Sequence, residues 1–204
     1  MTQKICLAAI EYILLDLGGV LYRLGIIPVT RRLLPHLTDD EIMARWQELD
    51  SRIPFERGLI TEAEFLDSAP KEFGVDMGPG SFLDFFNDWL GFPFDDATEV
   101  LVQIKKRWRV GCLSNTNAIH IRHAMTQGPL LDLFDERYYS HEIGFHKPDI
   151  RIYQSAIKKI GLDPKRIWFF DDLQQNVNAA RGAGLNASLC NGTDALKKLL
   201  GLGG

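Results

Sequence analysis

Four groups of polar side chains each follow a short apolar run of the sequence. Three carboxylates that face one another repel strongly unless a cation lies among them, and hard oxygen ligands of this kind suit Mg²⁺. A lysine ammonium and a serine hydroxyl are donors that can hold a phosphate beside such a metal. If they meet in space, these side chains predict a site for Mg²⁺ and a phosphate group. The four groups are Asp16, Ser114 with Asn115, Lys147, and Asp171 with Asp172.

The elements that would bring these groups together are predicted strands that alternate with helices. Apolar runs predict strands at 12–16, 108–113, 138–140, 167–170 and 185–189. Helical patterns lie between them, which favours right-handed crossovers and an open parallel α/β sheet with helices on both faces. Ligands bind outside the carboxyl ends of the strands in such sheets. We therefore expect the polar groups to meet in one crevice.

The stretch between the first two predicted strands is helical and shows no strand pattern. Thr61 begins a capping box, and the run from Thr38 to Glu41 predicts another helix start. We therefore predict a Rossmann-like core formed by residues 1–24 plus 93–204, with a small all-helical cap at 25–92 inserted into it. Trp46 and Trp89 are expected in the packed interior of the cap rather than in a binding pocket.

The composition is that of an ordinary soluble globular protein of 204 residues, with 46% hydrophobic and 25% charged residues. A net charge of −4 argues against nucleic-acid or membrane-surface binding. The apolar run 5–21 resembles a signal sequence but is interrupted by acidic residues and lacks a cleavage site, so we expect a buried strand. No apolar run is long enough to span a bilayer. The widely spaced Cys6, Cys112 and Cys190 fit a reducing cytoplasm and argue against zinc.

Over nearly its whole length the chain resembles the haloacid dehalogenase superfamily, because four motifs occur in the family's order. The segment Asp16-Leu-Gly-Gly-Val-Leu21 resembles the first motif, and Leu113-Ser-Asn-Thr-Asn117 resembles the second. The third and fourth are similar to Lys147-Pro-Asp149 and to Phe169-Phe-Asp-Asp172 with Asn176. Within subfamily IA, the segments 56–65 and 147–153 look closest to the bacterial glucose-1-phosphate phosphatase-like group.

This resemblance implies a Mg²⁺-dependent phosphatase that acts on a small phosphorylated metabolite, with sugar phosphates favoured. One oxygen of Asp16 would attack phosphorus to form an aspartyl phosphate, which water would then hydrolyse. Asp16, the Gly18 carbonyl and Asp172 would hold the metal, with Asp171 binding it directly or through water. The resemblance also implies that Ser114, the Asn115 amide and Lys147 bind the phosphate. Asn176 would orient the acidic loop.

One position departs from the pattern of most phosphatases in this superfamily. They carry an aspartate that acts as general acid two residues after the nucleophile, where this chain has Gly18. Loss of general acid catalysis typically lowers a rate by ~10²–10⁴-fold. A leaving oxygen that needs little protonation, such as the anomeric oxygen of a sugar 1-phosphate or an acyl phosphate, would avoid this loss. His146 or a cap residue is the alternative proton source, and Arg57 and His146 are candidate pocket residues.

Two other functions stay open at this point. A haloacid dehalogenase would use the same Asp16 to attack carbon, but such enzymes need no metal, and the acidic pair Asp171 and Asp172 argues against this alternative. A phosphate-binding or partner-binding module with weak catalysis is the second alternative, and Gly18 is its only support. Each residue also has a structural interpretation, since Asp16 could cap a loop and Lys147 could be a solvated loop charge. The sequence does not indicate an oligomeric state.

Overall fold

The computed structural model describes residues 7–202, so the predictions for Ile5 and Cys6 lie outside the described residues. Five strands form one sheet in the order β3-β2-β1-β4-β5, and every neighbouring pair is parallel. The predicted open parallel sheet is therefore confirmed. Its strands are β1 (Tyr12–Leu15), β2 (Arg109–Ser114), β3 (Glu136–Tyr139), β4 (Ile167–Asp171) and β5 (Asn186–Leu189).

The central strand β1 is buried on both faces because each face of the sheet is covered by its own apolar cluster. Ile13 and Leu15 belong to one cluster, and Tyr12 and Leu14 belong to the other. Successive side chains of a strand point to opposite faces, so a continuous apolar run is what a doubly covered strand requires. This burial fixes the carboxyl end of β1, and with it Asp16, at the middle of the sheet.

The helices fall into two groups along the chain. Helices α1 to α5 follow β1 and precede α6, which leads into β2, whereas α7 to α11 are distributed between and after the strands from β2 onward. Short 3₁₀ turns at Leu7–Ala9, Asp88–Leu90, Pro129–Leu133 and Pro164–Arg166 complete the regular structure. The helices are α1 (Ile26–Leu33), α2 (Asp39–Glu48), α3 (Arg52–Glu56), α4 (Glu62–Phe73), α5 (Pro79–Asn87), α6 (Ala97–Lys105), α7 (Ala118–Thr126), α8 (Ser140–Ile143), α9 (Ile150–Ile160), α10 (Gln174–Gly182) and α11 (Gly192–Leu200).

Helices α1 to α5 pack around an aromatic cluster that is separate from the clusters of the sheet. The rings of Phe55 and Phe65 stack with centroids 4.1 Å apart, and Trp89 is buried among further phenylalanines. Capping boxes begin α2 at Thr38 and α4 at Thr61, as their sequences predict. The division into a core and a cap at residues 25–92 stays a prediction.

The structure differs from the sequence interpretation at the end of β3, since Ser140 begins α8 instead of ending that strand. At the start of α6 the Asp96 carboxylate accepts from Thr193 Oγ1 at 2.6 Å and from Lys197 Nζ at 2.8 Å and makes no capping hydrogen bond. Cys112 and Cys190 are both free and buried. Within residues 7–202 no helix has the length and apolarity to cross a bilayer.

Candidate active site

The carboxyl edge of the sheet brings together the polar groups that lie far apart in the sequence. Asp16 follows β1 directly, Ser114 ends β2 and Asp171 ends β4, and these three strands are neighbours in the sheet. Lys147 lies on the loop between α8 and α9 and reaches the same edge. The crevice expected from the alternation of strands and helices is therefore present, and Asp16, Ser114, Asn115, Lys147 and Asp172 all line it.

Lys147 is the cation at the centre of this crevice. Its Nζ lies 2.9 Å from Asp16 Oδ1 and 2.7 Å from Asp171 Oδ2, and it donates to the Leu113 carbonyl at 3.0 Å. The residue is only 2% exposed. A buried ammonium is stable only when it is paired in this way, so Lys147 is held by the same carboxylates whose charge it offsets.

One ammonium does not balance three carboxylates, and the pKa values of the acids reflect this. Burial raises the pKa of Asp16 to about 7, with Lys147 opposing the shift and the charges of Asp171 and Asp172 adding to it. Burial and the Asp171 charge raise the pKa of Asp172 to about 6. For Lys147, burial favours the neutral amine, but the adjacent carboxylates outweigh it and raise the pKa. An additional cation would therefore bind favourably here.

The donor set fits a hard divalent cation. One carboxylate oxygen from each of Asp16, Asp171 and Asp172 lies within 4.8 Å of the others, and oxygen ligands are those that Mg²⁺ prefers. Asp171 is already engaged, since Oδ2 accepts from Lys147, and Oδ1 accepts from the Leu173 amide and from Asn176 Nδ2, both at 2.9 Å. Asp16 and Asp172 are therefore the better placed direct ligands, and Asn176 orients Asp171.

Two consecutive glycines shape the wall of this cluster. Gly19 has a φ of +70°, and a Cβ built there would lie 2.2 Å from Asp172 Oδ2, so no larger residue fits without moving that carboxylate. At Gly18 a Cβ would meet only Leu24 Cδ2, at 3.0 Å. Gly18 lines the crevice beside Asp16 without supplying a side chain that could transfer a proton.

Asn115 has a positioning function that its sequence motif does not reveal. Its Oδ1 accepts from the Lys147 backbone amide at 2.7 Å, and its Nδ2 donates to the Lys147 carbonyl at 2.9 Å. The side-chain amide therefore fixes the backbone that carries Lys147 and is not free to bind a ligand. The Ser114 hydroxyl makes no hydrogen bond to any other group in residues 7–202.

His146 links this loop to helix α3. Because the Asn115 amide orientation is fixed, its Nδ2 donates to His146 Nδ1 at 3.2 Å, which places the ring proton on Nε2. That proton is donated to Glu56 Oε2 at 2.7 Å. Arg57, the other candidate pocket residue, is not brought to the cavity, since its Nε donates to the Gly144 carbonyl at 2.8 Å and secures α3 to the same loop.

The crevice is part of a cavity of about 580 Å³ that extends from the charged edge of the sheet to the helices that follow β1. Its upper wall is mainly apolar and includes Leu24, Ile26, Met43 and Trp46. Trp46 is half-buried and contributes to this wall as well as to the aromatic cluster, so the expectation that it lies only in the packed interior is incomplete. A cavity of this size accommodates a small organic molecule attached to a phosphate.

The sequence pattern of the haloacid dehalogenase-like hydrolases matches residues 10–184, and the chain belongs to that family. It is a hydrolase of this family, and its fold is the family's Rossmann-like sheet.

Curated relatives of the chain include two phosphatases and a dehalogenase. A glyceraldehyde 3-phosphate phosphatase of Methanothermobacter thermautotrophicus is 33% identical over 48% of this chain, which spans only 45% of that relative. A phosphatase of Mycobacterium tuberculosis is 30% identical over 74% of the chain and 72% of its own length. An (S)-2-haloacid dehalogenase of Pseudomonas is also 30% identical, and the match covers 65% of this chain and 59% of the dehalogenase.

A solved structure of a haloacid dehalogenase family enzyme from Bacteroides thetaiotaomicron is similar over most of both chains. The TM-score is 0.79 at 26% identity, and the match covers 93% of this chain and 98% of the other. The same enzyme has been crystallised in complex with magnesium and inorganic phosphate, in a structure that matches with a TM-score of 0.74 at 27% identity over 88% of this chain and 93% of the other.

Proposed function

We propose that this hydrolase is a Mg²⁺-dependent phosphatase that acts on small phosphate monoesters through an aspartyl phosphate on Asp16. The observation that carries the proposal is the setting of the Asp16 carboxylate, which is buried at the cavity floor. Its Oδ1 is held by the Leu17 amide at 2.7 Å and by Lys147 Nζ at 2.9 Å. The carboxylate is thus fixed beside the Lys147 ammonium and beside the acidic groups that would hold a cation, which is the setting that in-line attack on a phosphate requires.

The chain's own groups divide the remaining tasks among them. Asp16, Asp172 and the Gly18 carbonyl would hold Mg²⁺, which supplies positive charge to the phosphate when it is bound. Lys147 offsets the charge that spreads over the phosphoryl oxygens as the ester bond breaks, and the Ser114 hydroxyl and the Asn115 main-chain amide donate to those oxygens. Burial of the site limits water, which strengthens each of these interactions.

The proposed ester is a sugar phosphate, and among sugar phosphates one that is esterified at the anomeric carbon. Gly18 provides no proton donor beside Asp16, so a leaving oxygen that needs little protonation suits the site. We also propose that residues 25–92 act as a cap over this site. The net negative charge supports a small metabolite rather than a nucleic acid as substrate, and the free, buried Cys112 and Cys190 support a cytoplasmic location.

Metal binding should be linked to pH in a defined direction. The pKa values of about 7 for Asp16 and about 6 for Asp172 mean that protons compete with Mg²⁺ below neutral pH. At a Mg²⁺ concentration 100 times its Kd, we expect the melting temperature to rise by roughly 5 to 10 °C at pH 8 and by clearly less at pH 5.5. Thermal melts with and without Mg²⁺ measure this, with Asp172→Asn expected to lose most of the pH 8 shift. An equal shift at both pH values would contradict carboxylate binding.

Phosphate release from a panel of esters tests the proposed activity. The panel should pair sugar 1-phosphates and acyl phosphates with esters of primary alcohols, each assayed with Mg²⁺ and with a chelator. We expect Mg²⁺-dependent turnover that is faster for the anomeric and acyl compounds. Halide release from a 2-haloacid in the presence of the chelator would instead indicate a dehalogenase. A 2-haloacid dehalogenase is among the proteins to which this chain is similar. Binding of Mg²⁺ and phosphate without any turnover would indicate a binding module.

A further inference from the structure

Helix α3 ends in a buried carboxylate, Glu56, that faces the same cavity as Asp16. Only 7% of the Glu56 surface is exposed, and the pattern of residues around it in the sequence does not predict this burial. Its Oε2 accepts two hydrogen bonds, one from His146 Nε2 at 2.7 Å and one from Arg52 at 3.2 Å. One oxygen of the group is therefore fully engaged, and the orientation of the carboxylate is fixed from two sides.

The other oxygen of Glu56 has no such partner. Oε1 makes no hydrogen bond to any group in residues 7–202, and it is not sealed away from the cavity. The same cavity is lined by Met43, Gln47, Arg52 and Ile53, and among residues 7–202 the donors of His146 and Arg52 bind Oε2 and leave Oε1 without a protein partner. Nε of the neighbouring Arg52 is buried without a hydrogen-bond partner among the described residues.

A substrate that fills the cavity displaces water from around Oε1, and its binding is more favourable when it donates a hydrogen bond to that oxygen in place of the water. An O–H group is the neutral donor that a phosphorylated metabolite most readily presents there. An ester with a purely apolar organic group would instead leave Oε1 unsatisfied and would displace the water that otherwise reaches it.

We propose that Glu56 is a specificity-determining residue that selects phosphate esters with a hydroxylated organic group, by accepting a hydrogen bond from one substrate hydroxyl through Oε1. This inference rests on the proposed function, because Asp16 fixes the phosphate end of the substrate and Glu56 contacts a hydroxyl of its organic group. It also gives a function to the Glu56 carboxylate, which lines the cavity in addition to Asp16 and Asp172.

The test compares two substrates in the same variants. Glu56→Gln keeps the size of the side chain and an oxygen that can accept from His146, but it turns an amide N–H group toward the cavity. We expect it to lower kcat/KM by about 10- to 100-fold for the best hydroxylated ester of the panel and by less than about 3-fold for phenyl phosphate. Glu48→Gln, at an exposed position of α2, makes the same charge change and should alter neither value.

Other outcomes separate this inference from the activity on which it rests. Equal losses on both substrates would show that Glu56 acts only through His146 on the Lys147 loop, and no loss on either would show that it has no function in recognition; both results overturn the proposal. If Glu56→Gln unfolds, Glu56→Asp, which keeps the charge but withdraws the oxygen, must show the same selective loss. Wild-type protein that hydrolyses neither substrate would refute the proposed phosphatase activity itself and this inference with it.

Discussion

Replacing Asp16 by Asn is expected to lower the rate of phosphate release by at least about 10⁴-fold, because a carboxamide cannot attack phosphorus at a useful rate. The substitution keeps the size of the side chain and an oxygen that can accept from the Leu17 amide and Lys147. The phosphate should therefore still bind, and the metal ligand Asp172 should keep its position. The measurement is Mg²⁺-dependent phosphate release at saturating substrate.

Stability should move in the opposite direction to activity in this variant. The folded-state pKa of Asp16, about 7, lies above its ordinary value of 3.8, so ionisation of this group opposes folding. The loss of stability grows as pH rises from about 4 and is complete above about 7. Without Mg²⁺ at pH 8, Asp16→Asn should therefore have a free energy of unfolding no lower than that of the wild type, and the difference should shrink at pH 5.

A covalent intermediate provides the decisive readout for the nucleophile. Acid-quenched wild-type protein should carry a phosphoryl group on the peptide that contains Asp16, and the variant should carry none. Asp50→Asn, at an exposed position between α2 and α3, is the matched control and should retain full turnover and full labelling. Substantial Mg²⁺-dependent turnover by Asp16→Asn would assign the nucleophile to another group.

The positions of the core motifs could be predicted because each depends on local sequence and on one rule of topology. An apolar run followed by Asp16 and two glycines indicates a buried strand that ends in a tight turn, whatever the rest of the chain does. Parallel strands then bring Ser114 and Asp171 to the same edge as Asp16. The same reasoning could not say which oxygens are free, because Asp171 is engaged by groups that only the folded loop brings to it.

The contacts between α3 and the Lys147 loop could not be predicted from the sequence. Glu56 and His146 are 90 residues apart, and neither lies on a periodic apolar face that would indicate burial. Helix α3 is only five residues long and contains Pro54, so its pattern does not stand out from a loop. The sequence predicts Arg57 as a pocket residue, but the orientation of the chain at the end of α3 directs Arg57 to the Gly144 carbonyl, and Glu56 faces the cavity instead.

Replacing Lys147 by Met is expected to have the second large effect, and it should change both stability and activity. The substitution leaves Asp16 and Asp171 buried without their shared cation, a change that typically destabilises by about 3 to 5 kcal/mol. It also removes the charge that faces the transferred phosphoryl group, for which a loss of about 10²–10³-fold in kcat is expected. Denaturant unfolding at pH 8 without Mg²⁺ and the phosphate-release assay measure the two effects.

Three comparisons distinguish loss of this cation from general damage. Lys165→Met, at an exposed position before β4, removes a lysine charge far from these carboxylates and should change stability by less than about 0.5 kcal/mol. The double variant Lys147→Met with Asp171→Asn should recover part of the lost stability, because one of the two unpaired charges is gone. Mg²⁺ should also stabilise Lys147→Met more than it stabilises the wild type, since the metal then offers the only remaining compensating charge. If Lys147→Met is as stable as Lys165→Met, gains nothing from Asp171→Asn and responds to Mg²⁺ as the wild type does, the carboxylates at the end of the sheet do not depend on this ammonium. The electrostatic basis for metal and phosphate binding at this edge is then wrong.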